Sequence, residues 1–141
     1  MIITVVGLGV IGGSFVKALK GKGYDVYGVD CDQQTLEMAK AEGCIIEGYL
    51  DGHQIISQSD LTIICLYPSK VLDFISEHTF KKGSIVTDVV GIKSYFLNQA
   101  LSRIDQDVEY ISGHPMAGRE KKGYLYASQE VFQNANYIVI Q

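Results

Sequence analysis

Cysteine is scarce and badly spaced for covalent or metal chemistry. The three cysteines, Cys31, Cys44 and Cys65, include no Cys-x-x-Cys pair and leave one over. That excludes a disulfide-stapled framework and the paired thiolates of a zinc site. Histidine is equally sparse: His53, His78 and His114 are the only three, and no two stand at ligand spacing, so no metal site is expected. A basic surplus is missing too. The formal net charge is −4, which argues against a nucleic-acid platform but leaves room for a local anion site. Nor is there a long hydrophobic run. The apolar opening MIITVVGLGVIGG has no cationic leader, is broken by glycines and is too short to span a bilayer. The expectation is a cytoplasmic protein with no membrane segment and no nucleic-acid partner.

What is present is ordinary for a globular domain: 47% hydrophobic and 20% charged residues in 141, enough for one core. β-rich runs alternate with helical patterns. Strands are expected over 2–6, 24–29, 61–66, 84–90, 109–112 and 136–141. The run LTIICL is apolar at nearly every position, as in a strand covered on both faces, with Cys65 a small core residue. Helices are expected after residue 10, over 32–42 with Asp32 as N-cap, from Pro68, and through Leu97, Ala100, Leu101 and Ile104. Residues 112–120, SGHPMAGRE, have neither a strand nor a helix period and read as a loop. The βαβα rhythm predicts an α/β fold, a doubly wound and mostly parallel sheet with helices on both faces. There is no repeat or linker. The last expected strand ends at Gln141 with no closing helix, and a cut at a domain boundary is expected there.

The sequence VVGLGVIGGSF sets Gly7, Gly9 and Gly12 in the G-x-G-x-x-G pattern. Fifteen glycines will produce such spacings by chance, and a plain strand-to-helix turn would hold them equally well. The context favours a Rossmann-type dinucleotide site: a strand precedes, a helix follows, and a second strand ends at Asp30. Gly7 would make the tight turn, Gly9 would let backbone approach a pyrophosphate, and Gly12 would let helix lie on sheet. The N–H groups at the helix start would bind the anion without a lysine. Asp30 is either a solvated strand-end acid or the acceptor for a ribose 2′-hydroxyl. In the second case it repels a 2′-phosphate, and Cys31 in place of an arginine points the same way, to NAD over NADP.

Three segments lead from strand ends to the place where a nicotinamide would lie: LYPSK after residue 66, DVVGIK from 88, and SGHPMAGRE from 112. Together with GLGVIGGSF they resemble, in order and spacing and over essentially the whole chain, the prephenate dehydrogenase family, arogenate dehydrogenases included. GHPMAGRE followed by Lys and Gly is the specific part. The resemblance implies NAD-dependent oxidative decarboxylation of prephenate to 4-hydroxyphenylpyruvate in tyrosine biosynthesis. Hydride leaves the carbon bearing the 4-hydroxyl, and His114 is implied as the base for that hydroxyl, a task suited to neutral imidazole. The implied cofactor site comprises Gly7, Leu8, Gly9, Val10, Ile11, Gly12 and Asp30, with Leu66, Tyr67 and Pro68. Close backbone approach is expected at Gly113 and Gly118.

Lys93 falls in the first turn of an expected helix, where an anionic ligand or simple exposure would each explain a cation. Glu120 matches a family glutamate at the mouth of the substrate site, and equally suits a surface acid beside Lys121 and Lys122. Gly91 stands where many relatives carry a serine that orients the histidine and substrate; a water, or Ser112, is expected to take over. The family's helical C-terminal domain, which forms a homodimer and supplies cations for the substrate carboxylates, is not in these residues. This chain alone is therefore expected to bind NAD and to turn prephenate over poorly or not at all. Arogenate remains an alternative substrate, another doubly wound dehydrogenase an alternative enzyme, and a non-catalytic dinucleotide sensor an alternative class.

Overall fold

In the computed structural model, residues 1–91, 94–116 and 122–140 are described. The elements in chain order are β1 (Ile2–Val6), α1 (Val10–Leu19), β2 (Asp25–Val29), α2 (Gln33–Ala41), β3 (Gly48–Tyr49), α3 (His53–Ile56), β4 (Leu61–Ile64), α4 (Pro68–Glu77), β5 (Ile85–Asp88), α5 (Ser94–Arg103), β6 (Glu109–Pro115) and β7 (Tyr137–Ile140). Two 3-10 turns, Tyr124–Tyr126 and Gln129–Phe132, lie between β6 and β7. The strands form one sheet in the order β3-β2-β1-β4-β5-β6-β7. All neighbours are parallel except β6 and β7. The chain moves outward from β1 in one direction, then returns and moves outward from β4 in the other. The crevice between the carboxyl ends of β1 and β4 is therefore the switch point at which such sheets bind ligands.

Burial on both faces explains the unbroken apolar runs. Ile3, Val5, Val26 and Ile63 face one core cluster, built with Val16 of α1 and Leu36 of α2. Val6, Val29, Ile64 and Val86 face the other, built with Ile56 of α3, Val71 and Ile75 of α4, and Phe96 of α5. Each fully buried Val or Ile contributes roughly 1.5–3 kcal/mol, so two cores from one thin sheet are what hold the crevice rigid. Local signals set the helix starts. The Asp32 side chain accepts the Gln34 N–H at 3.0 Å and caps α2, and Pro68 occupies the first turn of α4, where its missing N–H costs nothing. Among the described residues no helix is long and apolar enough to cross a membrane.

The sheet is mostly parallel as expected, with the final strand antiparallel. The structure departs from the sequence expectation in two places. The glycine-broken stretch after α2 contains β3 and α3, of two and four residues. And SGHP is strand, not loop: β6 continues to Pro115 because Ser112 to Pro115 pair with Ile140 to Tyr137 of β7. That partner arrives more than twenty residues later, so nothing local marks the extension. Pro115, which cannot donate to a ladder, comes last.

Candidate active site

The site begins at the turn from β1 into α1. Gly7 has φ +84°, and its N–H donates to Val29 O at 2.8 Å, tying the turn to β2. A Cβ on Gly7 would lie 2.5 Å from Cys65 O, and one on Gly12 would lie 1.7 Å from Gly7 O. Both positions are closed to any side chain by backbone. Gly9 is different: a Cβ there would meet nothing within 4 Å. It opens on a cleft of about 430 Å³ lined by Gly7, Gly9, Gly12, Asp30, Leu66 and Val89, among others. α1 starts at this cleft with no side-chain cap and no acidic residue in its first turn. Its first N–H groups and the positive end of its dipole are thus available to an anion.

Asp30 stands at the end of β2, half-buried, with its carboxylate anchored by two backbone donors. Oδ2 accepts from Leu8 N–H at 2.7 Å and Oδ1 from Asp32 N–H at 2.8 Å. Each oxygen keeps a lone pair for a further donor. Asp30 also borders a second hollow of about 490 Å³ that shares Gly7, Leu66, Tyr67 and Lys70 with the first and adds Leu50 and Phe74. The second hollow is also bordered by Asp73 and Glu77, so the cations and N–H groups suited to an anion lie on the side of the glycine turn.

His114 stands half-buried on β6, two strands beyond β4, and is not among the residues that line the cleft. Its Nδ1 lies 3.2 Å from the Val89 carbonyl oxygen. A carbonyl can only accept, so Nδ1 carries the hydrogen, and in the neutral ring Nε2 is left with its lone pair. This is the tautomer of a base. Val89 itself lines the cleft with the glycine turn, so one residue adjoins both the glycine cleft and the imidazole. Beside it, Asp88 is fully buried at the end of β5. Its carboxylate accepts from Val90 N–H at 2.7 Å, from Ser112 Oγ at 2.9 Å and from Tyr110 Oη. Burial, followed by the Asp88 charge, pushes both the Tyr110 hydroxyl and the Cys65 thiol well above their usual ranges.

Residues 15–140 match the family described as prephenate dehydrogenase, nucleotide-binding domain. The chain belongs to this family. It is 29% identical over 145 residues to a prephenate dehydrogenase of Lactococcus lactis, covering 99% of this chain and 40% of that protein. The crystal structure of Synechocystis arogenate dehydrogenase superposes with a TM-score of 0.90 at 29% identity, over 99% of this chain and 49% of that one. A prephenate dehydrogenase from A. aeolicus, solved with hydroxyphenyl propionate and NAD+, gives a TM-score of 0.90 at 23% identity over half its chain and shares the fold. This chain thus spans two-fifths to one half of the length of these relatives.

Within this nucleotide-binding domain, the expected site residues divide into those brought together and those not. Gly7, Gly9, Val10, Ile11, Gly12, Asp30, Leu66 and Tyr67 border one cleft. Leu8 and Pro68 are not among its lining: Leu8 is 1% exposed, with its side chain in the core and its N–H on Asp30, and Pro68 opens α4. Lys93, Gly118 and Glu120 lie outside the described residues. The Ser112 hydroxyl donates to the Asp88 carboxylate that also accepts from Val90 N–H, and a Cβ on Gly91 would lie 3.3 Å from His114 Cε1. The close approach at Gly113 is to Tyr137 of β7, whose hydroxyl would be 2.5 Å from an added Cβ. Cys65 is half-buried: it packs against one core cluster and also borders the cleft.

Several residues escaped the sequence reading. Lys70 and Lys122 border the same cleft and are its described cations. Lys70 stands two residues after Pro68, a faint local signal; Lys122 belongs to the Lys-Gly pair that follows GHPMAGRE, which marks the residue but not its place at the cleft. The histidines are also closer than their spacing implied. His53 and His78 stack with ring centroids 4.1 Å apart, and Asp51 lies 3.7 Å from His53 Nε2. Their ligand atoms fall within 4.8 Å of one another, but two stacked rings lie in separate parallel planes, and one ion cannot sit in both.

Proposed function

We propose that this chain is the NAD-binding part of a prephenate dehydrogenase, an oxidoreductase that converts prephenate to 4-hydroxyphenylpyruvate with loss of carbon dioxide. The observation that carries the reading is Val89: the residue lines the glycine cleft, and its carbonyl accepts from Nδ1 of His114, so one residue adjoins both the anion cradle and the base.

The residues present fit a dinucleotide. The pyrophosphate takes the uncapped N–H groups of α1 over Gly9, where a side chain would occupy the ligand's space. Asp30 accepts from a ribose hydroxyl, and its negative charge selects NAD over NADP. When bound, the cofactor supplies the hydride acceptor. His114 Nε2 receives the proton of the substrate's 4-hydroxyl as negative charge grows on that oxygen, and the Val89 carbonyl stabilises the imidazolium so formed. General-base help of this kind is worth about 10²–10⁴ in rate. Lys93 and Glu120 are assigned by family resemblance to the substrate side, and the length of the relatives beyond this match is assigned to substrate capture and to a homodimer.

Arogenate is the second reading. It is favoured by the identity to the Synechocystis arogenate dehydrogenase, which equals that to the Lactococcus prephenate dehydrogenase. Steady-state kinetics of the natural-length protein with both substrates and both cofactors tests the proposal. NADH formation from prephenate or arogenate is expected; turnover of neither substrate with either cofactor would refute it.

A further inference from the structure

The buried carboxylate of Asp88 has no part in the reaction just described, yet it is bound to the histidine by a single covalent unit. Val90 N–H and Val89 C=O are the two ends of one planar peptide and point in opposite directions. Asp88 Oδ1 takes the N–H end at 2.7 Å, and His114 Nδ1 donates to the C=O end at 3.2 Å. We propose that Asp88 is a positioning residue that acts on His114 through the Val89–Val90 peptide. It fixes the direction of the carbonyl that selects the imidazole tautomer, and its charge polarises that carbonyl so that the protonated ring is stabilised. The inference rests on the reading of His114 as base.

Three features support it. The peptide has nowhere to turn: its N–H is held by a carboxylate that Ser112 and Tyr110 hold in place from the neighbouring strand. Ser112 and Tyr110 lie on the same face of β6 as His114, two and four residues before it, so one strand presents both the anchor of the acid and the base it orients. And, among the described residues, Tyr110, Cys65 and Tyr137 at this end of the sheet are held in their neutral forms. Burial raises Tyr110 on β6, Cys65 after β4 and Tyr137 on β7, and the Asp88 charge pushes all three in the same direction. Among the described residues, Asp88 is the charge that acts on Tyr110 and Cys65, and for Tyr137 it follows Cys65.

A purely structural Asp88 would be replaceable by asparagine without consequence for His114. Asparagine keeps the Oδ1 acceptor for Val90 N–H, and its amide can donate to the Ser112 and Tyr110 hydroxyls, which accept as well as donate. The turn survives and the charge goes. The test is an NMR titration of histidine ring carbons in the natural-length protein between about pH 5 and 9, with His114→Gln assigning the His114 signal. In Asp88→Asn the His114 midpoint is expected to fall by roughly half a pH unit, less than the one to three units of direct contact because a peptide intervenes. The acid limb of kcat/KM against pH should move with it. An unmoved midpoint in the folded variant overturns the proposal.

Tyr110→Phe decides the matter should Asp88→Asn not fold. With one donor fewer, the carboxylate leans more on Val90 N–H and the midpoint rises; no change, or a fall, overturns the proposal. The two readings fail separately. If His114→Gln leaves kcat intact, the base assignment falls and this inference with it. If kcat is lost in His114→Gln while Asp88→Asn leaves the titration unmoved, Asp88 alone is refuted.

Discussion

Gly9 and Gly12 stand three residues apart in one motif, and the structure assigns them opposite modes of failure. An alanine at position 12 would place its Cβ 1.7 Å from Gly7 O. That is backbone, and it belongs to a turn already held by Val29 O and crowded by Cys65. Relief requires α1 to lift off the sheet, taking Val16 out of its core cluster. The expected cost is about 3 kcal/mol or more, the upper part of the range for overpacked cores. At roughly 3–4 °C per kcal/mol for a domain of this size, Tm falls by about 10 °C. An alanine at position 9 meets nothing within 4 Å, and its φ of −77° is open to L-residues. Folding is then unharmed, with a slight gain from a stiffer unfolded chain, but the methyl occupies the space claimed for a pyrophosphate. The Kd for NAD should rise at least about tenfold, or 1.4 kcal/mol. Thermal unfolding without ligand and calorimetric titration with NAD separate the two. The reasoning is refuted if Gly12→Ala melts with wild-type Tm, or if Gly9→Ala binds NAD as tightly as wild type.

Other consequences follow from the same geometry. Gly91→Ser sets a hydroxyl against the His114 ring, where the Cβ distance is 3.3 Å; one neutral hydrogen bond should raise kcat/KM by up to about tenfold with NAD affinity unchanged, and an unaltered kcat/KM would show that position 91 does not face the reacting group. Asp30→Ala removes the ribose acceptor and the repulsion of a 2′-phosphate, so the ratio of NADP to NAD affinities should rise by about tenfold or more, measured by parallel titrations. His78 carries a pH dependence of stability: burial, and then the neighbouring His53, lower its pKa below the usual value. The unfolded chain then takes up the proton first, so stability is whole above about pH 6.5 and declines as pH falls below it. His78→Gln should flatten the Tm profile in that window, and an unchanged slope would rule the group out.

The fold was largely readable because its signals are local. The β1 and β4 runs are apolar at nearly every position because helices cover both faces of the sheet, and Asp32 and Pro68 mark helix starts through chemistry confined to one turn. The glycine motif is equally local: the clash at Gly12 is with an atom only five residues away. What escaped depends on distant partners. β6 runs on through His114 because β7 pairs with it, and GHP has no alternation to announce a strand. β3 and α3 are too short to build a period. The clamp on His114 links two strands across twenty-five residues, and a valine carbonyl in that role leaves no trace in side-chain identity. Lys70 and Lys122 are cations whose placement at the cleft only the assembled sheet creates.

The central claim is that His114 Nε2 takes the substrate proton beside bound NAD. The most direct measurement is His114→Asn in the natural-length protein, with kcat and the NAD Kd determined separately. A fall in kcat of about 10²–10⁴ at unchanged NAD affinity is predicted. A variant that turns over prephenate or arogenate at the wild-type rate would contradict the account.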